Sequence, residues 1–293
     1  MANTAVQQPE KKGFSLTLAN PVIRKLEKNG EFGADQTATY GGIVGKTVFF
    51  LIVTVIGVLL CFILHNILTG SGAANLIHVE DTKNGIYDLT MSVGEAVIAG
   101  VALLVSLITP FLAWFIRPTI PVTGTLYSLA QGLLIGYITV ALVPEYRFIS
   151  LLAMIITIAL VAVMLFIYAK KIITVTARFR GIITGIFAGI VLSGIVYFLL
   201  NLIPAVRNST LFSGINTAMQ NPALSIIIGI VFVILASLFM LADFDTIQRC
   251  VENQVDKKYE WMAAWGLAYT ILYIYFKILR ILIMIFGNGR RSK

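Results

Sequence analysis

Residues 223–246 read ALSIIIGIVFVILASLFMLADFDT, an apolar run that ends on two carboxylates, Asp243 and Asp245. No charge interrupts 223–242, and about 20 apolar residues are enough to cross ~30 Å of hydrocarbon at ~1.5 Å of rise per helical residue. The run therefore reads as a membrane span. Working outward from it, runs of the same kind lie at 47–68, 94–116, 122–143, 148–169 and 181–203 before it and at 261–286 after it. The loops between them are too short to fold alone. The expectation is one all-α polytopic membrane domain over 47–286, with a polar tail at 1–46 and a short basic tail at 287–293.

Composition agrees with that class. The chain is 58% hydrophobic and 12% charged, with a mean hydropathy of +0.90, whereas soluble domains are about one-quarter charged. The net charge of +8 does not indicate a nucleic-acid partner, because the cations gather at span ends: Lys46, Arg117, Lys170, Lys171, Arg178, Arg180, Lys257 and Lys258. That is the pattern of the positive-inside rule. Lys11, Lys12, Arg24, Lys25 and Lys28 put the N-terminal tail on the same side, while loop 69–93 carries Glu80, Asp81 and Asp88. A cytoplasmic N-terminus follows as the expected orientation. Seven spans then place Arg290, Arg291 and Lys293 outside, against the rule; a re-entrant last segment with both termini inside is the alternative.

No signal peptide is read, since the first apolar run is itself a full span. Cys61 and Cys250 are far apart and read as reduced thiols, and His65 and His78 look isolated, so a zinc site has nothing to build on and no cofactor is expected. Asn208-Ser209-Thr210 matches the glycosylation sequon, which matters only in a secretory-pathway host. Gly132 and Gly136, and Gly181, Gly185 and Gly189, recur at four-residue steps and are assigned to tight packing within the chain. Pro110 is expected to kink span two. Glu95 reads as a hydrated residue at headgroup level or as the mouth of a polar path, and Gln131 as an interhelical hydrogen-bonding group.

Ionisable groups at membrane depth are costly, so they mark a pathway, a relay or a latch, or else a salt bridge that fixes packing. Four stand out: Asp243, Asp245, Lys277 and Arg280. Tyr269, Tyr273, Lys277 and Arg280 follow at helical steps and share one face, which is expected to turn inward because it carries two charges. The two acids lie about 200° apart round a helix, so at most one can be the intimate partner of Lys277. Asp243 is expected to be that partner, and the costlier of the two to neutralise. Enzymatic chemistry is not expected: no nucleophile–His pair lies within a span, no His-Glu metal motif occurs, and the acids lack the Gly-x-Gly-Asp setting of intramembrane aspartyl proteases.

Three stretches carry a resemblance: Leu241-Ala242-Asp243-Phe244-Asp245-Thr246-Ile247, Glu260-Trp261-Met262-Ala263-Ala264-Trp265-Gly266-Leu267 and Tyr275-Phe276-Lys277-Ile278-Leu279-Arg280. With Ala19-Asn20-Pro21-Val22-Ile23-Arg24-Lys25-Leu26-Glu27 and Ala38-Thr39-Tyr40-Gly41-Gly42-Ile43-Val44-Gly45-Lys46-Thr47, they resemble the bacterial branch of the Bax-inhibitor family. The resemblance implies six helices in two layers around a central seventh, a bacterial inner-membrane location, and a pH-sensitive calcium leak. The family's sensor is an acid near the end of helix six and another in helix seven, with an arginine latch on helix two. By motif Asp243 matches the first acid, position 277 holds Lys277 in place of the second, and Arg117 corresponds to the latch by position only. An ammonium in place of a carboxylate holds the pair without a shared proton. It also weakens any site for calcium, so ion transport does not simply carry over. The implied partners are lipid and calcium or protons. The alternative is a non-transporting regulator that docks on other membrane proteins such as membrane proteases. A retinal protein is a third reading, disfavoured because span three lacks an acidic counter-ion.

Overall fold

The computed structural model describes residues 37–70, 76–80, 88–207, 209–219 and 221–288. Among the described residues there are seven long apolar helices, each able to cross a membrane by length and composition. They are α1 (Tyr40–Gly70), α2 (Val93–Phe115), α3 (Ile120–Ala141), α4 (Phe148–Ala169), α5 (Ala177–Asn201), α6 (Pro222–Glu252) and α7 (Glu260–Asn288). A hairpin of β1 (Leu76–Glu80) and β2 (Asp88–Ser92) joins α1 to α2, with Leu76 opposite Ser92 and His78 opposite Thr90. Two short helices, Pro204–Arg207 and Thr210–Met219, lie between α5 and α6. Of the expected tails at 1–46 and 287–293, residues 1–36 and 289–293 lie outside the described residues.

Capping explains where the helices start. Thr39 accepts a hydrogen bond from the Gly42 N–H at 3.0 Å, so α1 begins at Tyr40 rather than at 47. Ser92 and Glu95 form a reciprocal capping box on α2, Thr176 caps α5, and Asn221 with Pro222 opens α6. At their C-termini α4 and α6 end in left-handed residues, Lys171 (φ 54°) and Gln254 (φ 51°). The Ile172 N–H reaches the Ile167 carbonyl and the Val255 N–H reaches the Cys250 carbonyl, the crossed bonds of a Schellman motif. Because nothing breaks α6 before Asn253, it runs about two turns past Asp243 and Asp245. The acids therefore lie inside the helix, not at its end.

The bundle packs unevenly. α7 touches α1, α3, α4 and α6, and Phe50, Leu142, Ile149, Met240, Ile274 and Leu279 are fully enclosed. α1 and α3 approach backbone to backbone: a side chain at Gly132 would run into the Thr54 carbonyl and Gly57, and one at Gly136 into Cys61. The stripe Gly181, Gly185 and Gly189 behaves otherwise. Among the described residues nothing lies within 4 Å of where their side chains would begin, so the expectation of tight intrachain packing there is corrected. Only Arg180 and Ile183 are buried on α5.

Candidate functional site

The two acids of α6 meet different neighbours, as their angular separation requires. Asp243 faces α7, where its Oδ2 accepts a hydrogen bond from the Thr270 hydroxyl at 2.6 Å. Asp245 faces α5, where its Oδ2 forms an ion pair with the Arg180 guanidinium, and it also accepts from Arg249 Nε at 2.7 Å. Arg180 lies within electrostatic reach of Asp243 as well. Around them Tyr168, at the end of α4, donates its hydroxyl to Gln248, and its ring lies 5.8 Å from that of Phe244. Three helices, α4, α5 and α7, thus converge on about one and a half turns of α6.

Arg180 is in an unusual position. It is 3% exposed and sits in the first turn of α5, where the helix dipole disfavours a cation. The carboxylate of Asp245 offsets both that and the cost of burial. Sequence reading treated Arg180 as one more interfacial cation beside Arg178; the structure buries the first and exposes the second. Two residues on, the chain has turned about 200°.

Lys277 does not reach Asp243. Its ammonium sits over the Phe232 ring, 4.3 Å from the centroid, and 5.1 Å from that of Tyr273, and it makes no ion pair among the described residues. The helix-six–helix-seven charge pair expected from the sequence is therefore replaced by a charge pair between α5 and α6. The reason is register. The hairpin turn at 253–256 sets Asp243 beside Thr270, while Lys277, nearly two turns further along α7, meets Phe232. The polar stripe does not turn inward either: Tyr269 and Arg280 are exposed and Tyr273 and Lys277 half-buried. Arg117 lies in the turn Arg117–Thr119 between α2 and α3 and forms no ion pair among the described residues.

Two further charge clusters went unread in the sequence. Glu260, fully buried at the start of α7, pairs with Lys46 and accepts from the Thr39 N–H at 2.8 Å and the Thr39 hydroxyl at 3.2 Å. Lys46 also lies 5.3 Å from the Trp261 ring centroid. Gly42 leaves room for that carboxylate, since a side chain there would collide with it. The chain before α1 docks on the same turn, through the Ala38 N–H to the Val255 carbonyl at 2.7 Å. In that turn Asp256 is bonded by the Lys258 side chain and N–H, which holds its carboxyl below the usual range. The signal was available: Lys46 and Glu260 each open an apolar run.

At the other end of α1, His65 Nδ1 lies 2.9 Å from Glu95 Oε1, and Glu95 Oε2 accepts from the Ser92 N–H at 2.7 Å. Glu95 is fully buried, which corrects its reading as a hydrated headgroup-level residue, and His65 is not isolated. Gln131 interacts with Tyr127 one turn back on its own helix. Among the described residues no three His, Cys, Asp or Glu side chains are grouped to hold a metal ion.

Fold and site together define a polytopic α-helical membrane protein with an arginine–carboxylate pair buried between two spans. The family model described as Bax inhibitor 1 like matches residues 20–287, nearly the whole chain, and the protein belongs to that family. No curated protein and no solved structure matches it.

Proposed function

We propose that this chain is a cation leak of the Bax-inhibitor type, held closed by Arg180 on the carboxylate of Asp245. The observation that carries this reading is the burial of Arg180 against Asp245 on a helix that is otherwise almost wholly exposed. Calcium binds through oxygen ligands, often carboxylates and hydroxyls. Asp243 and the Thr270 hydroxyl supply such oxygens between α6 and α7, and Asp245 supplies them between α5 and α6; Arg180, paired with Asp245 and within electrostatic reach of Asp243, competes for them. Protons compete for the same carboxylates, which makes the leak sensitive to pH. Lys277 takes no part in this closure. The protein is assigned to a bacterial cell membrane, with its N-terminus in the cytoplasm.

Calcium flux in proteoliposomes tests the proposal. Arg180→Gln raises the leak at neutral pH and Asp243→Asn lowers it. Wild type and both variants passing no calcium, with a second membrane protein co-purifying, would instead establish the regulator. For orientation, a cysteine at position 83 reacts with an impermeant reagent from outside and one at 176 does not; the reverse pattern inverts the assignment.

A further inference from the structure

Lys277 and Arg280 remain outside the closure, and they share a feature. Both are cations on one face of α7 without an ion pair among the described residues. Cation–π contact with Phe232 and Tyr273 attracts the ammonium, but it leaves the charge of Lys277 uncompensated. The face they occupy is exposed at Tyr269 and Arg280 and half-buried at Tyr273 and Lys277 among the described residues. It runs along the bundle surface between α3, whose Tyr127 stacks on Tyr269 at 5.5 Å, and α6, whose Phe232 underlies Lys277.

Depth identifies the ligand. α7 has 29 residues, or ~44 Å of helix against ~30 Å of hydrocarbon, so each end projects by ~7 Å. Arg280 is then ~5 Å inside the boundary, and its side chain reaches headgroup level by extending along its stem. From Arg280 to Tyr269 the helix rises ~16 Å, about half the thickness of the hydrocarbon and hence the depth of one leaflet. The geometry points to a site for one anionic phospholipid, its phosphate held by Arg280 and Lys277 and one acyl chain laid on Tyr273 and Tyr269. Arginine suits a phosphate because its guanidinium can offer two parallel donors. This site stands whether or not the protein conducts ions.

Native mass spectrometry after delipidation, with phosphatidylglycerol or phosphatidylcholine added back, tests it. Wild type retains phosphatidylglycerol in preference to phosphatidylcholine. An interfacial cation contributes about 1 kcal/mol toward an anionic lipid, a factor of about five in affinity. Arg280→Gln, at an exposed position, therefore weakens phosphatidylglycerol retention about fivefold, and Lys277→Gln/Arg280→Gln weakens it about 25-fold. Arg280→Lys keeps most of it, and Arg178→Gln, a cation removed elsewhere, changes nothing. Equal retention by wild type and Arg280→Gln overturns the site, as does equal retention of the two lipids by wild type. Thermal protection by inorganic phosphate alone, matching that by phosphatidylglycerol, also overturns it, because the acyl chain would then have no role.

Discussion

α3 and α5 carry the same glycine spacing and use it in opposite ways. On α3, Gly132 and Gly136 let the helix lie against the backbone of α1, and over half of its span is buried in the bundle. On α5, side chains added at Gly181, Gly185 and Gly189 would meet nothing among the described residues, and almost none of the span is buried. One helix is held by its surface. The other is held at a few points, by Arg180 on Asp245 near its start and by the ring contacts Phe187–Phe239 and Tyr197–Phe212 further along. Four-residue glycine spacing permits close approach; whether a partner comes is decided by the rest of the helix.

The largest expected effect lies on the packed side. Gly132→Leu drives a side chain into the main chain of α1, where neither backbone can yield, at a cost of ~3 kcal/mol or more. Thermal unfolding in detergent should show a large drop or no folded protein, while Gly185→Leu should stay within ~0.5 kcal/mol of wild type. Similar losses for both would mean that α5 has a partner surface comparable to that of α3.

Next comes the pin. Removing one member of a buried ion pair costs about 3–5 kcal/mol because the other charge is left unpaired. In Arg180→Gln that loss should fall on α5, whose detachment exposes little core, rather than on the whole bundle. Hydrogen exchange should accelerate in the first turns of α5 and hardly change in α3. Uniform acceleration across all helices would show that α5 is not a separately docked element.

The spans were legible in the sequence because crossing hydrocarbon demands about 20 apolar residues, and little else in a chain looks like that. Their ends were less so: α1 begins at Tyr40 and α6 ends at Glu252 because of Thr39 and the Gln254 cap, which hydropathy does not register. Asp243 and Asp245 could be singled out as charges in apolar surroundings. Their partners could not. Sequence order does not say which spans are neighbours, and Arg180 was hidden among Lys170, Lys171 and Arg178, all obeying the same charge rule. Lys277 was misassigned because a cation was required to face inward, whereas aromatic rings and a reach toward the interface accommodate it.

A third test separates the two carboxylates, and it reverses the expectation from sequence. Asp245→Asn leaves Arg180 buried without its counter-charge and should cost several kcal/mol. Asp243→Asn keeps an oxygen able to accept from Thr270, so about 1 kcal/mol is the expected loss. Melting temperatures of the two variants in one detergent decide the order, and a larger loss for Asp243→Asn would place the principal charge interaction on α7 instead of α5.

The smallest effect has opposite signs on the two helices. In the interior of a helix, glycine is less favourable than alanine by roughly 0.5–1 kcal/mol, since it has more backbone freedom to lose. On α5 an added methyl meets nothing within 4 Å, so Gly185→Ala should stabilise the protein by a few tenths of a kcal/mol up to about 1. On α3 the same methyl strikes the Thr54 carbonyl, and the steric cost outweighs the gain in backbone entropy, so Gly132→Ala should lower stability by roughly 1–3 kcal/mol. A pair of thermal scans reads both. Stabilisation by both substitutions would mean that α1 and α3 can separate without loss, and the contrast between a packed and a pinned helix would then rest on Arg180 alone.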